Sequence, residues 1–236
     1  MHHETTPTVG TVVPTATDPV GSITSVVAAG GAAAEPAGRL SPTLLRERYE
    51  QAITFEEFIA SARANHDLWR DMAARARVPE EITARATQIP GARRLLVLLE
   101  DWCGDAVNTI PVLAALARDV PQLELRVLAR DEHLDLMDAH RSPAGARAIP
   151  VVIVLDESFA ECGWWGSRPA ELQAWVMAPE ARRMEPNDRY REVRRWYARD
   201  RGRSTLREVL DLLDHCSRNR SADDAPEALT PGRAVA

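Results

Sequence analysis

The sequence predicts an α/β fold: a central mixed sheet flanked by helices, with helical extensions at both ends. Three observations carry this. Between about 91 and 180 the hydrophobic pattern runs strand, helix, strand, short helix, strand, hairpin strand, helix. The run Leu95-Leu96-Val97-Leu98-Leu99 is apolar at every position, as expected of a strand covered on both faces. A Trp102-Cys103-Gly104 triplet then marks the junction between that run and a helical stretch.

Residues 1–40 are rich in Thr, Val, Pro, Ala and Gly and have almost no large side chains, so they are expected to form a disordered tail. Ser41-Pro42 reads as an N-cap and first helical residue. Thr54 followed by Glu57 is a capping-box pattern. Phe55, Phe58, Ile59, Ala62, His66 and Trp69 fall on one helical face, which makes 41–90 a helical packing extension. After the Leu95–Leu99 strand, Asp105 to Arg118 is helical by period, with Pro111 expected to kink it. Leu123 to Leu128 alternates as a strand, and Glu132 to His140 reads as a short helix. Pro150 opens a strand over Val151–Leu155, Asp156-Glu157-Ser158 turns the chain, and Phe159 to Trp165 returns as the hairpin partner. Pro169 starts the next helix, which closes the 91–180 unit. Residues 181–216 carry two further helices, and 217–236 is expected to be a second disordered tail.

The formal net charge is -6, so the whole chain gives no electrostatic push toward nucleic acid or anionic membrane. Seven arginines between Arg189 and Arg203 read either as a basic patch or as a solvated face balanced by nearby acids. Apolar runs are far shorter than the ~20 residues needed to span a bilayer. The start Met1-His2-His3-Glu4 lacks a basic region before an apolar one, so no signal peptide is expected and a reducing cytoplasm is the default setting. Three cysteines, Cys103, Cys162 and Cys216, do not suggest a disulfide scaffold. Cys162 should lie about 13 Å along its strand from Gly166, too far to bridge to the site, and reads as a packing residue; Cys216 reads as incidental.

The order of elements and the Trp-Cys-Gly triplet resemble the thioredoxin-like superfamily over about 93–177. Pro111 stands eight residues after Cys103, where thioredoxins carry a helix-kinking proline. Ile149-Pro150 precedes the hairpin, as the family's cis-proline does, and Gly166 closes it. The chain is most similar to a bacterial branch with Asp-Trp-Cys-Gly-Asp, an Arg-Asp-Glu here at Arg130-Asp131-Glu132, and a Trp-Gly-x-Arg-Pro here at Trp165-Gly166-Ser167-Arg168-Pro169. The resemblance implies a reacting centre of Cys103, Trp102, Gly104, Asp105 and Pro150, with Ile149, Trp165, Gly166, Arg168 and Arg130 on the substrate side. Three departures accompany it. Ala106 stands where dithiol members have their second cysteine, Asp105 replaces the proline between the cysteines, and Val97 replaces a buried carboxylate on the strand.

The expected function is therefore monothiol thiol–disulfide exchange: Cys103 attacks a disulfide and an external thiol resolves the mixed species. The partner would be a protein disulfide or a low-molecular-weight thiol such as glutathione, with no cofactor or metal. Asp105-Ala106 breaks the Cys-Gly-Phe-Ser pattern of cluster-binding monothiol glutaredoxins. The rival class is a non-catalytic module that holds an extended peptide beside Pro150. A helix N-terminus favours the Cys103 thiolate, and Glu100, Asp101 and Asp105 oppose it unless Arg168 or Arg130 offsets them. Asp105 is either a first-turn cap or a proton carrier for the thiol. Trp102, Trp164 and Trp165 form either an aromatic rim or core packing.

Overall fold

The computed structural model describes residues 40–223. Of the tails expected at 1–40 and 217–236, residues 1–39 and 224–236 lie outside the described residues. Residues 217–223, expected as tail, instead continue the last helix, which runs through Asp223.

The amino-terminal extension folds as expected but in more pieces. Helix α1 (Pro42–Gln51) is capped by Ser41, whose hydroxyl accepts from the Leu44 N–H at 3.2 Å. A two-residue strand β1 (Ile53–Thr54) follows, which the sequence did not suggest. Thr54 then caps α2 (Phe55–Ser61) with the full capping box to Glu57. The single apolar face over 55–69 is split between α2 and α3 (His66–Arg75), because Asn65 sits in the left-handed region at φ 55°. The break is stabilised from outside: the Arg63 and Ala64 N–H groups, freed from helical pairing, both donate to one Asp101 carboxylate oxygen, at 2.7 and 2.9 Å. A short α4 (Glu80–Thr87) completes the extension.

The central unit begins with β2 (Arg93–Leu99), whose Leu95 to Leu99 are all essentially inaccessible to solvent. It lies in the middle of a five-stranded sheet of order β1-β3-β2-β4-β5, where β3 is Leu123–Ala129, β4 is Val151–Leu155 and β5 is Glu161–Gly166. The β2–β3 pair is parallel and the other pairs are antiparallel. Val97 is flanked by Val127 and Val152, a dry apolar ladder where the resemblance would place a carboxylate. Helix α5 (Gly104–Asp119) contains Pro111 and forms the β2–β3 crossover. A 3₁₀ turn over Arg130–Glu132 precedes α6 (Leu134–Ala139), so the expected helix from Glu132 starts late. Phe159 belongs to the hairpin turn, at φ 66°, rather than to the return strand. The Asp156 carboxylate organises that turn by accepting from the Ser158 and Ala160 N–H groups.

Helix α7 (Ala170–Met177) leads through α8 (Pro179–Arg183) to α9 (Pro186–Asp200) and α10 (Arg203–Asp223). At the α9–α10 junction Gly202 has φ +77°, and a Cβ there would press on Val112 at 2.7 Å, so glycine is required for both reasons. Helix α10 packs on β4, β5, α4 and α5. Leu172, Val176 and Tyr197 form a second small core between α7 and α9, apart from the main one.

The structure overturns the reading of two cysteines. Cys162 on β5 and Cys216 on α10 form a disulfide with Cα atoms 5.1 Å apart. The distance from Cys162 to the site says nothing of Cys216, which stands within α10. What brings them together is α10 lying across β5, a contact between segments 54 residues apart.

Candidate active site

Cys103 is the free cysteine of the described residues and is nine-tenths buried. It is the N-cap of α5, with extended backbone, and its Sγ accepts from the Ala106 N–H at 3.4 Å. The same sulfur lies 3.6 Å from the Ile149 carbonyl oxygen, to which a protonated thiol donates. The Ile149–Pro150 peptide is cis, as expected, and its Ile149 carbonyl is the group that meets Cys103. Gly166 closes the far side: a Cβ there would strike the Pro150 carbonyl oxygen, which leaves room only for glycine. The Gly166–Ser167 peptide is also cis.

Burial pushes the Cys103 thiol above its ordinary value. The Ala106 N–H bond pulls it down, the Asp105 carboxylate pushes it up, and Arg168 pulls it down. The expected contest between helix terminus and three carboxylates is thus incomplete, because burial outweighs both. Only one of the three acids faces the thiol. Glu100 accepts from the Asp131 N–H at 3.0 Å, and Asp101 is occupied by the Arg63 and Ala64 N–H groups.

Asp105 is neither a simple cap nor a free proton carrier. One oxygen accepts from the Tyr197 hydroxyl at 2.9 Å, and the other pairs with the Arg168 guanidinium at 2.5 Å. This latch ties the first turn of α5 to α9 and to the loop after β5. Sequence reasoning missed Tyr197; its only signal was an aromatic on the apolar stripe of an Arg-rich helix. Arg168 also donates to the Gln173 side chain at 3.2 Å, so it is a positioned group rather than a mobile surface cation.

The remaining expected residues separate. Trp102 is 53% exposed and stands beside the thiol, with the Arg130 guanidinium 5.1 Å over its ring. Arg130 therefore supports the tryptophan rather than the sulfur. Trp164 and Trp165 are not part of a rim. Both are buried; Trp164 meets His140 edge-on, and the Trp165 indole donates to Glu208 on α10 at 2.6 Å.

A model of the family described as Thioredoxin matches residues 52–185, more than half of the chain. The chain belongs to the thioredoxin family. Two solved structures share the fold of this thioredoxin-family chain, each at 24% identity and each covering 72% of this chain and 96% of the other. One is a protein of unknown function from Pseudomonas aeruginosa, with a TM-score of 0.58. The other is an HIV epitope-scaffold, with a TM-score of 0.56. No curated protein matches the chain. Ala106, three residues after Cys103, is fully buried. Among the described residues no helix is long and apolar enough to cross a membrane.

The site carries a pH prediction. Burial raises the Cys103 thiol, and burial with the neighbouring Asp105 carboxylate raises the Tyr197 phenol. Tyr49 is raised in the same way, by burial and Glu124. All three hold their protons more tightly folded than unfolded. Their contribution is full below the unfolded values, about 8.5 for a thiol and about 10 for a phenol, and is lost as pH rises through the folded ones. The melting temperature is expected to fall from about pH 8.5 upward. Tyr197→Phe should make the fall shallower above about pH 10. A flat thermal-unfolding profile up to about pH 11 would contradict this assignment.

Proposed function

We propose that this thioredoxin-family protein performs monothiol thiol–disulfide exchange through Cys103. The observation that carries the reading is the sulfur's position, at the N-cap of α5 with the Ala106 N–H on one side and the Ile149–Pro150 peptide on the other. In the first step the Cys103 thiolate attacks one sulfur of a substrate disulfide and releases the other as a thiolate. Ala106 offers no second sulfur, so the mixed disulfide persists until an external thiol such as glutathione attacks it. That attack returns Cys103 and carries the substrate half away as a new disulfide. Trp102 and Gly104 flank the sulfur, and Pro150 and Ile149 present the backbone against which an extended substrate would lie. Arg168 and Tyr197 act through Asp105 as positioning residues. The cytoplasm is the setting we propose, because the second step consumes a low-molecular-weight thiol; Cys162–Cys216 would there have to persist against that pool.

One observation favours the second reading, a non-catalytic module that holds an extended peptide beside Pro150. Cys103 is only 6% exposed, and its thiol is raised rather than lowered. The two readings separate on one measurement. Incubated with a small disulfide at pH about 8, near the free thiol's value, the protein is expected to gain one adduct per chain at Cys103. Peptide mapping should locate it, glutathione should release it, and Cys103→Ser should lack it. If Cys103 stays unmodified under these conditions, the exchange reading falls and the binding module replaces it.

A further inference from the structure

Four of the five arginines of α9 fall into two sets. Arg191 and Arg195 pair with Asp188 and Glu192, three residues back on the helix, and form the balanced solvent face that the sequence allowed. Arg189 and Arg194 have no carboxylate partner among the described residues, and both line a cavity of about 630 Å³ beside the active site. Arg168 and Arg182 line the same cavity; its one acidic residue is Asp105, already held by Arg168 and Tyr197. The cavity reaches Trp102 and Gly104, the residues on either side of Cys103.

A second cavity of about 770 Å³ meets the first at Asn108, Arg194 and Tyr197. Arg75, Arg77, Arg201 and Arg203 line it, Arg75 pairing with Asp71 at 3.4 Å, and among the described residues none that lines it is acidic. The two cavities follow α5 from Gly104 to Val112, a rise of about 12 Å at 1.5 Å per residue. In a chain of net charge -6, cation is thus concentrated along one groove that starts at the thiol. The walls between the arginines are apolar: Leu68, Val176, Met184 and Val193 in the first cavity, Met72 and Val112 in the second.

We propose that this groove binds an acidic polypeptide segment in which Asp or Glu alternates with apolar residues. Guanidinium groups match carboxylates in charge and in forked geometry, and the apolar walls match the intervening side chains. The groove is longer than one small anion needs. Among the described residues Trp102 and Tyr190 are the only exposed rings lining it, which makes it a poor stacking platform for nucleic acid. The proposal names the partner of the same site and rests on the exchange reading only in taking that segment to be the substrate's.

The test uses the full chain and a fluorescently labelled peptide of alternating Glu and Val without cysteine, read by anisotropy. Binding is expected to saturate, to weaken as salt rises, and to be the same in Cys103→Ser. The double variant Arg189→Ala/Arg194→Ala should bind about tenfold more weakly. Arg191→Ala/Arg195→Ala, which removes the same charge from the solvent face, should bind as the wild type does. Equal binding of a Lys and Val peptide, unchanged affinity in the Arg189/Arg194 variant, or tighter binding of an oligothymidylate of equal charge would each overturn the proposal. Because the probe has no sulfur, its binding is read independently of exchange: peptide binding together with no Cys103 adduct in the small-disulfide incubation would reject the exchange reading and leave this one standing.

Discussion

Replacing Cys162 and Cys216 together by alanine is expected to lower the unfolding free energy by about 4 kcal/mol. The bond closes a loop of 54 residues, and the entropy such a closure removes from the unfolded chain is about 3 kcal/mol for 15 residues and about 4.7 for 100. For a folded region of this size the melting temperature should fall by roughly 10 °C. The loss also reaches the site. The bond fixes α10 on β5, and α10 carries Glu208, which accepts from the Trp165 indole and the Ala170 N–H at opposite ends of the Arg168 loop. Thermal unfolding with and without dithiothreitol checks the assignment. Reductant should shift the wild type by the same amount and leave the double alanine variant unchanged. A wild type indifferent to reductant would show that the bond does not carry the stability assigned to it.

The second large effect is kinetic. Asp105→Ala is expected to raise the rate of Cys103 alkylation by iodoacetamide near neutral pH on the order of tenfold, because it removes the carboxylate that opposes the thiolate and frees Arg168 to favour it. The same change should cost about 2 kcal/mol of stability, since the Tyr197 hydroxyl and Arg168 each lose a buried partner. Asp105→Asn separates the two consequences. It keeps a hydrogen-bonding side chain between Tyr197 and Arg168 but carries no charge, so it should react fast while unfolding near the wild-type temperature. If the asparagine variant is as slow as the wild type, the gain in Asp105→Ala comes from opening the latch. If both variants are slower, Asp105 assists the thiol and the electrostatic account has the wrong sign.

These outcomes depend on features that the sequence revealed unevenly. The sheet was legible because Leu95–Leu99 and Val151–Leu155 are apolar without interruption, and a strand buried on both faces leaves no other pattern. The capping box at Thr54 and the cis-proline at Pro150 were legible because each is set by a residue type at a fixed place. The Asn65 break was not, since the apolar spacing from Phe55 to Trp69 stays helical across it. What splits the helix is Asp101, 36 residues away. The same limit hid the Tyr197–Asp105 bond and the Cys162–Cys216 bridge. Both join segments far apart in sequence through helices whose periodicity says which side is apolar but not what it meets. Burial of Cys103 was hidden for a related reason. The sequence gives the charges beside a thiol, whereas the dielectric around it depends on the packing of the whole end of the sheet.

Asp101 stands two residues before Cys103 and belongs, by its contacts, to the amino-terminal extension. Its carboxylate takes the Arg63 and Ala64 N–H groups, and its carbonyl takes the Asn65 amide and the Trp69 indole, at 3.2 and 2.8 Å. The extension is therefore a splint on the loop that sets the pose of Trp102 and the sulfur. A version of the protein trimmed to begin at β2 would keep every strand-to-helix crossover and still lose the fixture that aims its thiol. In a genetic screen, lesions at Trp69 would be scored with those at 102–105, although what its indole holds is the Asp101 carbonyl.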